Sequence, residues 1–420
     1  MTRSPSLRPS AARAVAISDF RDLARRRLPR FLFDYIDGGS FDELTLRRNT
    51  SDLQAIALRQ RVLKDVSRID LSTDVLGQRW ELPVGLGPIG LAGLNARRGE
   101  VQAARAAEMA GVPFCLSTVS ACSLAEVRAS VAKPFWFQLY MVRDRGFVRD
   151  MLHQAADAGC PVLLFTVDMP VPGTRHRDRR SGLSGASGLA GSLRRLAQAL
   201  ARPSWACDVG LRGRPHTLGN VAPLLGRRTG MEDFLAWTRD NFDPSVTWRD
   251  IDWVRENWRG PLVIKGILDP EDARLAQQAG ADGVLVSNHG GRQLDGVRST
   301  AEALPAVVDA VGDRLCVLAD GGVRSGLDVV RLLALGARGV LLGRAWAFAL
   351  AAAGQGGVSH MLDLMRAEMQ VALALTGTAR IADLGADSLD RPLERSRITP
   401  DLRSSRGPTS SPCPIPVPPS

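Results

Sequence analysis

Two tyrosines, three lysines and five histidines are few enough in this chain that each is a place to look for chemistry. The lysines are Lys64, Lys133 and Lys265, against 51 arginines. Lys265, after "PLVIKG", is either a chance survivor or a site that needs a compact ammonium where a planar guanidinium fork would not fit. Tyr140 closes the apolar run "PFWFQLY", Asp168 closes "PVLLFTVD" and Asp320 closes "LCVLAD". His289, in "SNHGG", offers an imidazole whose ordinary pKa suits general-base work near neutral pH. A base, a carboxylate, a phenol and an ammonium can together move protons and hold an anion.

The stretch "GLGPIG", Gly85 to Gly90, fits G-x-G-x-x-G, the glycine pattern of a dinucleotide-binding turn. That turn must open a helix whose N-terminus faces a pyrophosphate. Here Gly90, Gly93 and Asn95 follow at once, and each interior glycine costs a helix about 1 kcal/mol relative to alanine. No acidic residue stands about 20 positions on at the end of a second strand, where a ribose would be held. The pattern therefore does not make this an NAD enzyme.

The elements that would position these residues recur in order. Apolar runs lie at 83–88, 113–118, 134–140, 161–168, 261–266, 283–288, 315–320 and 339–344, with helical patterns between them. Eight alternations predict an α/β fold, a (β/α)8 TIM barrel; an open parallel sheet is the alternative. In a barrel the chemistry sits at the C-terminal strand ends. Those ends carry Pro88, Ser117, Tyr140, Asp168, Lys265, His289, Asp320, Gly343 and Arg344.

At 420 residues the chain is long enough for one such barrel with additions, and 45% hydrophobic content supplies a sizeable core. The six cysteines show no paired spacing, so reduced thiols are expected and no metal framework. The N-terminus lacks the apolar centre of a signal peptide, and no run reaches the roughly 18 apolar residues of a membrane span. An intracellular chain is expected. The net charge of +10 is concentrated: residues 170–230 hold eleven arginines but only Asp178 and Asp208 as acids. Within this interval Leu189, Leu193, Leu196 and Leu200 share one helical face, with Arg194, Arg195 and Arg202 elsewhere and Trp205 trailing as an interfacial aromatic. A basic amphipathic stretch of this kind fits a membrane surface, or else a lid helix packed on the barrel mouth. Nothing resembles a nucleic-acid motif. The Pro/Ser-rich ends, residues 1–14 and 391–420, are expected to be disordered around a catalytic domain spanning 15–390, with a long insertion at 170–247.

The segments "VSNHGGRQLDG" and "LADGGVRSGLDVVRLLALGARGVLLGR" resemble the FMN-dependent L-2-hydroxy acid dehydrogenase/oxidase family. "FDYIDGG", "RRN", "LSTVS", "WFQLY", "TVDMPVPGTRHRD" and "IKGILDPEDA" follow in family order, from about Asp19 to Leu389. "RRGEVQAARAAE", "WACDVGLRGRPHTLGN" and "NFDPS" look most like its bacterial respiratory L-lactate dehydrogenases.

The resemblance implies a set of roles. His289 is the base and Asp168 its partner; Arg175 and Arg292 hold the substrate carboxylate; Tyr35 and Tyr140 donate to substrate. FMN would rest on Pro88, Ile89 and Gly90, with Ser117, Gln138, Thr166 and Ser287 bonding its ring or ribityl chain. Lys265 would face the flavin N1–C2=O locus, and Asp320 a ribityl hydroxyl. Gly321, Gly322, Val323, Arg324, Gly343 and Arg344 would take the phosphate, as barrels do after their last two strands. The implied reaction is L-lactate to pyruvate, with electrons going to quinone or another respiratory carrier. A homo-oligomer peripheral to the inner membrane, on its cytoplasmic side, is expected, without an attached cytochrome domain. A glycolate- or mandelate-type oxidase is the nearest rival. A barrel aldolase using Lys265 would leave Arg175, Arg292 and His289 unexplained, and a flavin sensor would need no base.

Overall fold

A computed structural model describes residues 9–184, 189–214, 217–225 and 231–390. The expected strands are all present, as β3 (Val84–Leu86), β4 (Cys115–Ser117), β5 (Trp136–Leu139), β6 (Leu163–Thr166), β7 (Leu262–Ile267), β8 (Gly283–Val286), β9 (Cys316–Asp320) and β10 (Gly339–Leu342). They pair in parallel in the order β3-β10-β9-β8-β7-β6-β5-β4. The ring closes where Leu86 bridges Phe114 and its N–H donates to Pro113 O at 2.8 Å. The open-sheet alternative is thereby excluded.

Side chains alternate between two cores along each strand. Cys115, Trp136, Leu164, Val263, Leu285, Leu318 and Leu341 point inward and fill the barrel, while Leu116, Phe137, Phe165, Ile264, Val284, Val317 and Val340 pack outward on the helices. The inner core is sealed by a hairpin that sequence reading missed, β1 (Thr73–Val75) with β2 (Gln78–Trp80). Leu76 and Gly77 both have positive φ, as a tight hairpin turn requires. Trp80, 1% exposed, plugs the N-terminal mouth and meets Trp136 edge-on at 5.5 Å between centroids. Several helices then start on capped residues: the side chains of Ser123, Asp144, Asp269, Ser299 and Ser325 each accept a backbone N–H of the first turn.

Two expectations are corrected. Pro9–Ala12 is helical, and Ala11 and Ala14 are buried, so residues 9–14 are not disordered. Small alanines, invisible to a composition argument, slot under the N-terminal helices. Trp205 is not interfacial but buried, its indole N–H donating to Leu94 O at 2.7 Å. Arg194, Arg195 and Arg202 donate to the carbonyls of Arg180, Gly182 and Leu28. Residues 1–8, the tail 391–420 and His216 lie outside the described residues.

Candidate active site

The site is the inner core continued upward. Two residues beyond each inward apolar side chain comes a polar or bare one: Ser117, Gln138, Thr166, Lys265, Ser287, Asp320 and Gly343. Two residues further on β5, β6 and β8 come Tyr140, Asp168 and His289. Strand periodicity thus stacks a polar floor on the apolar plug, and the turns just past the strand ends put the reactive groups above it. On β3 the inward positions are Gly85 and Gly87. A Cβ on Gly85 would lie 2.8 Å from Leu341 Cδ2 and one on Gly87 3.1 Å from Leu342 O, so the first two glycines of "GLGPIG" answer to packing against β10 and not to a dinucleotide.

The floor is a hydrogen-bonded layer. Ser117 Oγ donates to Gln138 Oε1 at 2.9 Å, and Gln138 Nε2 to Thr166 Oγ1 at 3.0 Å. Lys265, 5% exposed, donates to Ser287 Oγ at 2.6 Å and pairs with Asp320 at 3.1 Å. Burial works against its charge, but Asp320 and Asp168 outweigh this and hold the ammonium above its usual pKa.

Above the floor, His289 Nδ1 and Asp168 Oδ1 are 2.7 Å apart, and His289 Nε2 lies 3.4 Å from the Tyr140 hydroxyl. Burial also tends to raise the Asp168 pKa, but His289 and Lys265 bring it below the carboxylate range; this carboxylate stays ionised. His289 goes the other way. Burial, joined by the charges of Lys265 and Arg292, lowers its pKa more than Asp168 raises it, leaving a neutral imidazole at working pH with Nε2 toward the cavity. Tyr140 stays a phenol, because burial pushes its pKa up.

Two cations converge on the same face. The guanidinium carbons of Arg292 and Arg175 lie 4.8 Å and 5.8 Å from the Tyr35 ring centroid. Arg292 is braced by the carbonyls of Tyr35 and Gly38, and burial with the adjacent Arg175 brings its pKa down to about 10, still a cation at neutral pH. Two neighbouring cations facing one cavity suit a carboxylate.

Tyr35, Tyr140, Arg175, Lys265, His289, Arg292 and Asp320 border one cavity of about 210 Å³. Pro88, Ile89 and Gly90 form part of its wall, and a Cβ on Gly90 would come within 2.9 Å of Val119 Cγ2. Its far end is lined by Gly321, Gly322, Val323, Arg324, Gly343 and Arg344. Arg344 also holds the carbonyls of Ile36, Gly38 and Gly290, so it braces the N-terminal helices onto the site. The cavity fits a flavin phosphate ester on three counts. Its anion end is glycine backbone beside two arginines; nothing stands within 4 Å of a Cβ built on Gly343; and buried Asp320 Oδ1 has no protein partner, as a carboxylate facing a ribityl hydroxyl would. Of the expected residues, Ser117, Gln138, Thr166 and Ser287 lie in or against the floor without lining the cavity, and Asp168 meets it only through His289; the others line it.

Sequence reading missed the outer wall. Leu218, Phe234, Thr238 and Phe242 come from the insertion, and Phe242 packs on Tyr140 with centroids 4.9 Å apart. No periodic signal marks them; the bridge between Val142 and Phe242 is what folds them back.

Comparison with known proteins bears on this geometry. The family described as FMN-dependent dehydrogenase matches residues 24–391. The L-lactate dehydrogenase of Caulobacter sp. (strain K31) is 64% identical over 374 residues, 89% of this chain and 96% of the relative. That of Chromohalobacter salexigens is 60% identical over 374 residues, 89% of this chain and 95% of the relative. Among solved structures, the monotopic membrane protein (S)-mandelate dehydrogenase aligns with a TM-score of 0.85 at 36% identity, over 90% of this chain and 99% of its own. A mandelate oxidase aligns with a TM-score of 0.76 at 38% identity, over 90% and 98% respectively.

Proposed function

The chain belongs to the FMN-dependent dehydrogenase family, and from that premise we propose that it oxidises L-lactate to pyruvate and passes the electrons to a quinone or other respiratory carrier. The observation that carries the reading is the meeting of His289–Asp168 with Arg175 and Arg292 at one cavity. The name shared by relatives at 60–64% identity supports L-lactate among 2-hydroxy acids.

The chain's own residues divide the work. Arg175 and Arg292 take the substrate carboxylate in fork geometry and turn its Cα toward His289. His289 Nε2 accepts a proton, and the imidazolium is stabilised by Asp168 at Nδ1. Tyr140 and Tyr35 donate to the substrate oxygens. Lys265 and Asp320 of the floor, with the 321–324 and 343–344 backbone, would hold FMN, which would supply a two-electron acceptor. Lys265 would place its positive charge beside the reduced cofactor.

The membrane contact is proposed for the helix Leu189–Leu200. Leu189, Leu193, Leu196 and Leu200 are between 54% and 79% exposed, while Gln198 and Arg195 bind the protein on other sides. Among the described residues no helix is long and apolar enough to cross a membrane, so a surface contact is the form proposed.

The test is anaerobic. The FMN-loaded protein is mixed separately with L-lactate, D-lactate, glycolate and mandelate while the flavin band is followed. Bleaching by L-lactate, and reoxidation faster with a quinone analogue than with air, is the expected result. Bleaching by D-lactate alone, or by none of the four, would overturn it.

A further inference from the structure

The loop that carries His289 runs through three consecutive residues of positive φ: His289 at 58°, Gly290 at 64° and Gly291 at 71°. Two are glycines, which adopt this region freely, but a histidine held left-handed is strained and needs surroundings that over-determine it. Part of that hold comes from outside the barrel. Asn49, on the helix Leu44–Ala55, and Asn288 are both buried and face each other as a reciprocal amide pair. Asn49 Nδ2 donates to Asn288 Oδ1 at 2.8 Å, and Asn288 Nδ2 donates to Asn49 Oδ1 at 2.7 Å. The rest of Asn288 is spent on its own loop: Oδ1 also accepts from Gly291 N–H at 3.0 Å, and Nδ2 also donates to Arg298 O at 3.1 Å. An amide has two donors and two acceptor positions, so Asn288 is fully used.

Asn49 leans on a second loop as well. Its backbone carbonyl stands where a Cβ on Gly322 would go, and its side-chain Cγ is 3.6 Å from the Cβ position of Gly321. Both glycines have positive φ and line the cavity at its anion end.

We infer that Asn49 is a positioning residue that ties the turn aiming His289 to the glycine turn facing the cofactor phosphate. The inference rests on the proposed roles of His289 and of residues 321–324. Both turns lean on this one residue, the His289 turn on its amide and the Gly322 turn on its backbone carbonyl, so freeing the amide from Asn288 lets residue 49 shift against both and weakens FMN binding as it misaims the base. Substrate capture is spared, since Arg292 is held separately by Tyr35 O and Gly38 O.

The experiment compares Asn49→Ala, Asn288→Ala and the double variant as holoenzymes. FMN release is followed by recovery of flavin fluorescence, kcat and KM for L-lactate are measured at saturating FMN, and melting temperatures are recorded alongside. Each single variant is expected to raise the FMN Kd roughly tenfold and lower kcat roughly tenfold or more, with KM within about threefold; the double variant should be no worse than the worse single. A merely structural asparagine would lower the melting temperature without splitting kcat from KM. The inference is overturned if only one of affinity and kcat changes, if neither moves beyond about twofold, or if the losses multiply in the double variant. Should Asn49→Ala fail to fold, Asn49→Ser takes its place under the same criteria. Full turnover by His289→Gln would count against the proposed base and not against the tie, which FMN release then decides.

Discussion

Asp168→Asn keeps the shape of the side chain and removes its charge, so it isolates what the carboxylate does for His289. In the native site one oxygen meets His289 Nδ1 at 2.7 Å and the other, buried, has no protein partner. The amide can therefore keep its oxygen toward Nδ1 and put its NH2 where the unpartnered oxygen was. What goes is the charge-assisted part of the bond to the imidazolium. A hydrogen bond to a charged group is worth about 1.5–3 kcal/mol, so kcat/KM should fall roughly 10- to 150-fold. KM should change little, because neither Arg175 nor Arg292 leans on Asp168.

The pH profile supplies the sign. Burial depresses the His289 pKa, Asp168 raises it, and Lys265 and Arg292 depress it further. Without the carboxylate only the lowering influences remain. The acid limb of kcat/KM, which follows protonation of the free base, must therefore move to lower pH. The assay is dye-linked L-lactate turnover from pH 5 to 9 with native and variant enzyme. An acid limb that moves upward, or a loss smaller than twofold, would refute the assignment of Asp168 as the charge partner of the base.

Other outcomes follow from the same geometry. His289→Gln should abolish turnover while the purified protein stays yellow, checked by flavin absorbance beside the assay. Arg292→Lys replaces a braced fork with a point charge and should raise KM for L-lactate by roughly 10- to 100-fold, read from steady-state kinetics. Trp80→Ala empties the plug under the barrel and should cost about 3–5 kcal/mol of stability, measured by urea unfolding. Replacing Leu189, Leu193, Leu196 and Leu200 together by serine should cut binding to phosphatidylglycerol vesicles roughly a hundredfold or more, since each leucine buried in lipid contributes on the order of 1.5 kcal/mol or more. Co-sedimentation measures this, and dye-linked turnover should persist.

How far such a site can be read in advance depends on which side chains obey a period. The floor was legible because most of it sits on strands, where two residues forward means the same face, and the reactive layer because it follows directly from the strand ends, so "WFQLY" already places Trp136, Gln138 and Tyr140 in one inward column. The hairpin Thr73–Trp80 escaped because three-residue strands leave no period to detect and its turn uses Leu76 with Gly77. The insertion misled for the opposite reason. Its helical period is real, and the leucines are exposed as read, but amphipathicity says nothing about what lies beyond the helix end. There Trp205 turns back to Leu94, and Asp208 meets Arg27 at 2.9 Å and Arg97 at 3.4 Å. Further along the insertion, Phe234 and Phe242 reach the cavity. The same insertion thus presents leucines outward and builds the wall beside Tyr140, and these two uses belong to different residues. Removing the leucines as a face, and not the segment as a whole, is therefore the change that separates docking from catalysis. A deletion through 205 would take Arg195, Gln198, Arg202 and Trp205 with it, and with them the bonds that hold the insertion to Gly182, Ser181, Leu28 and Leu94.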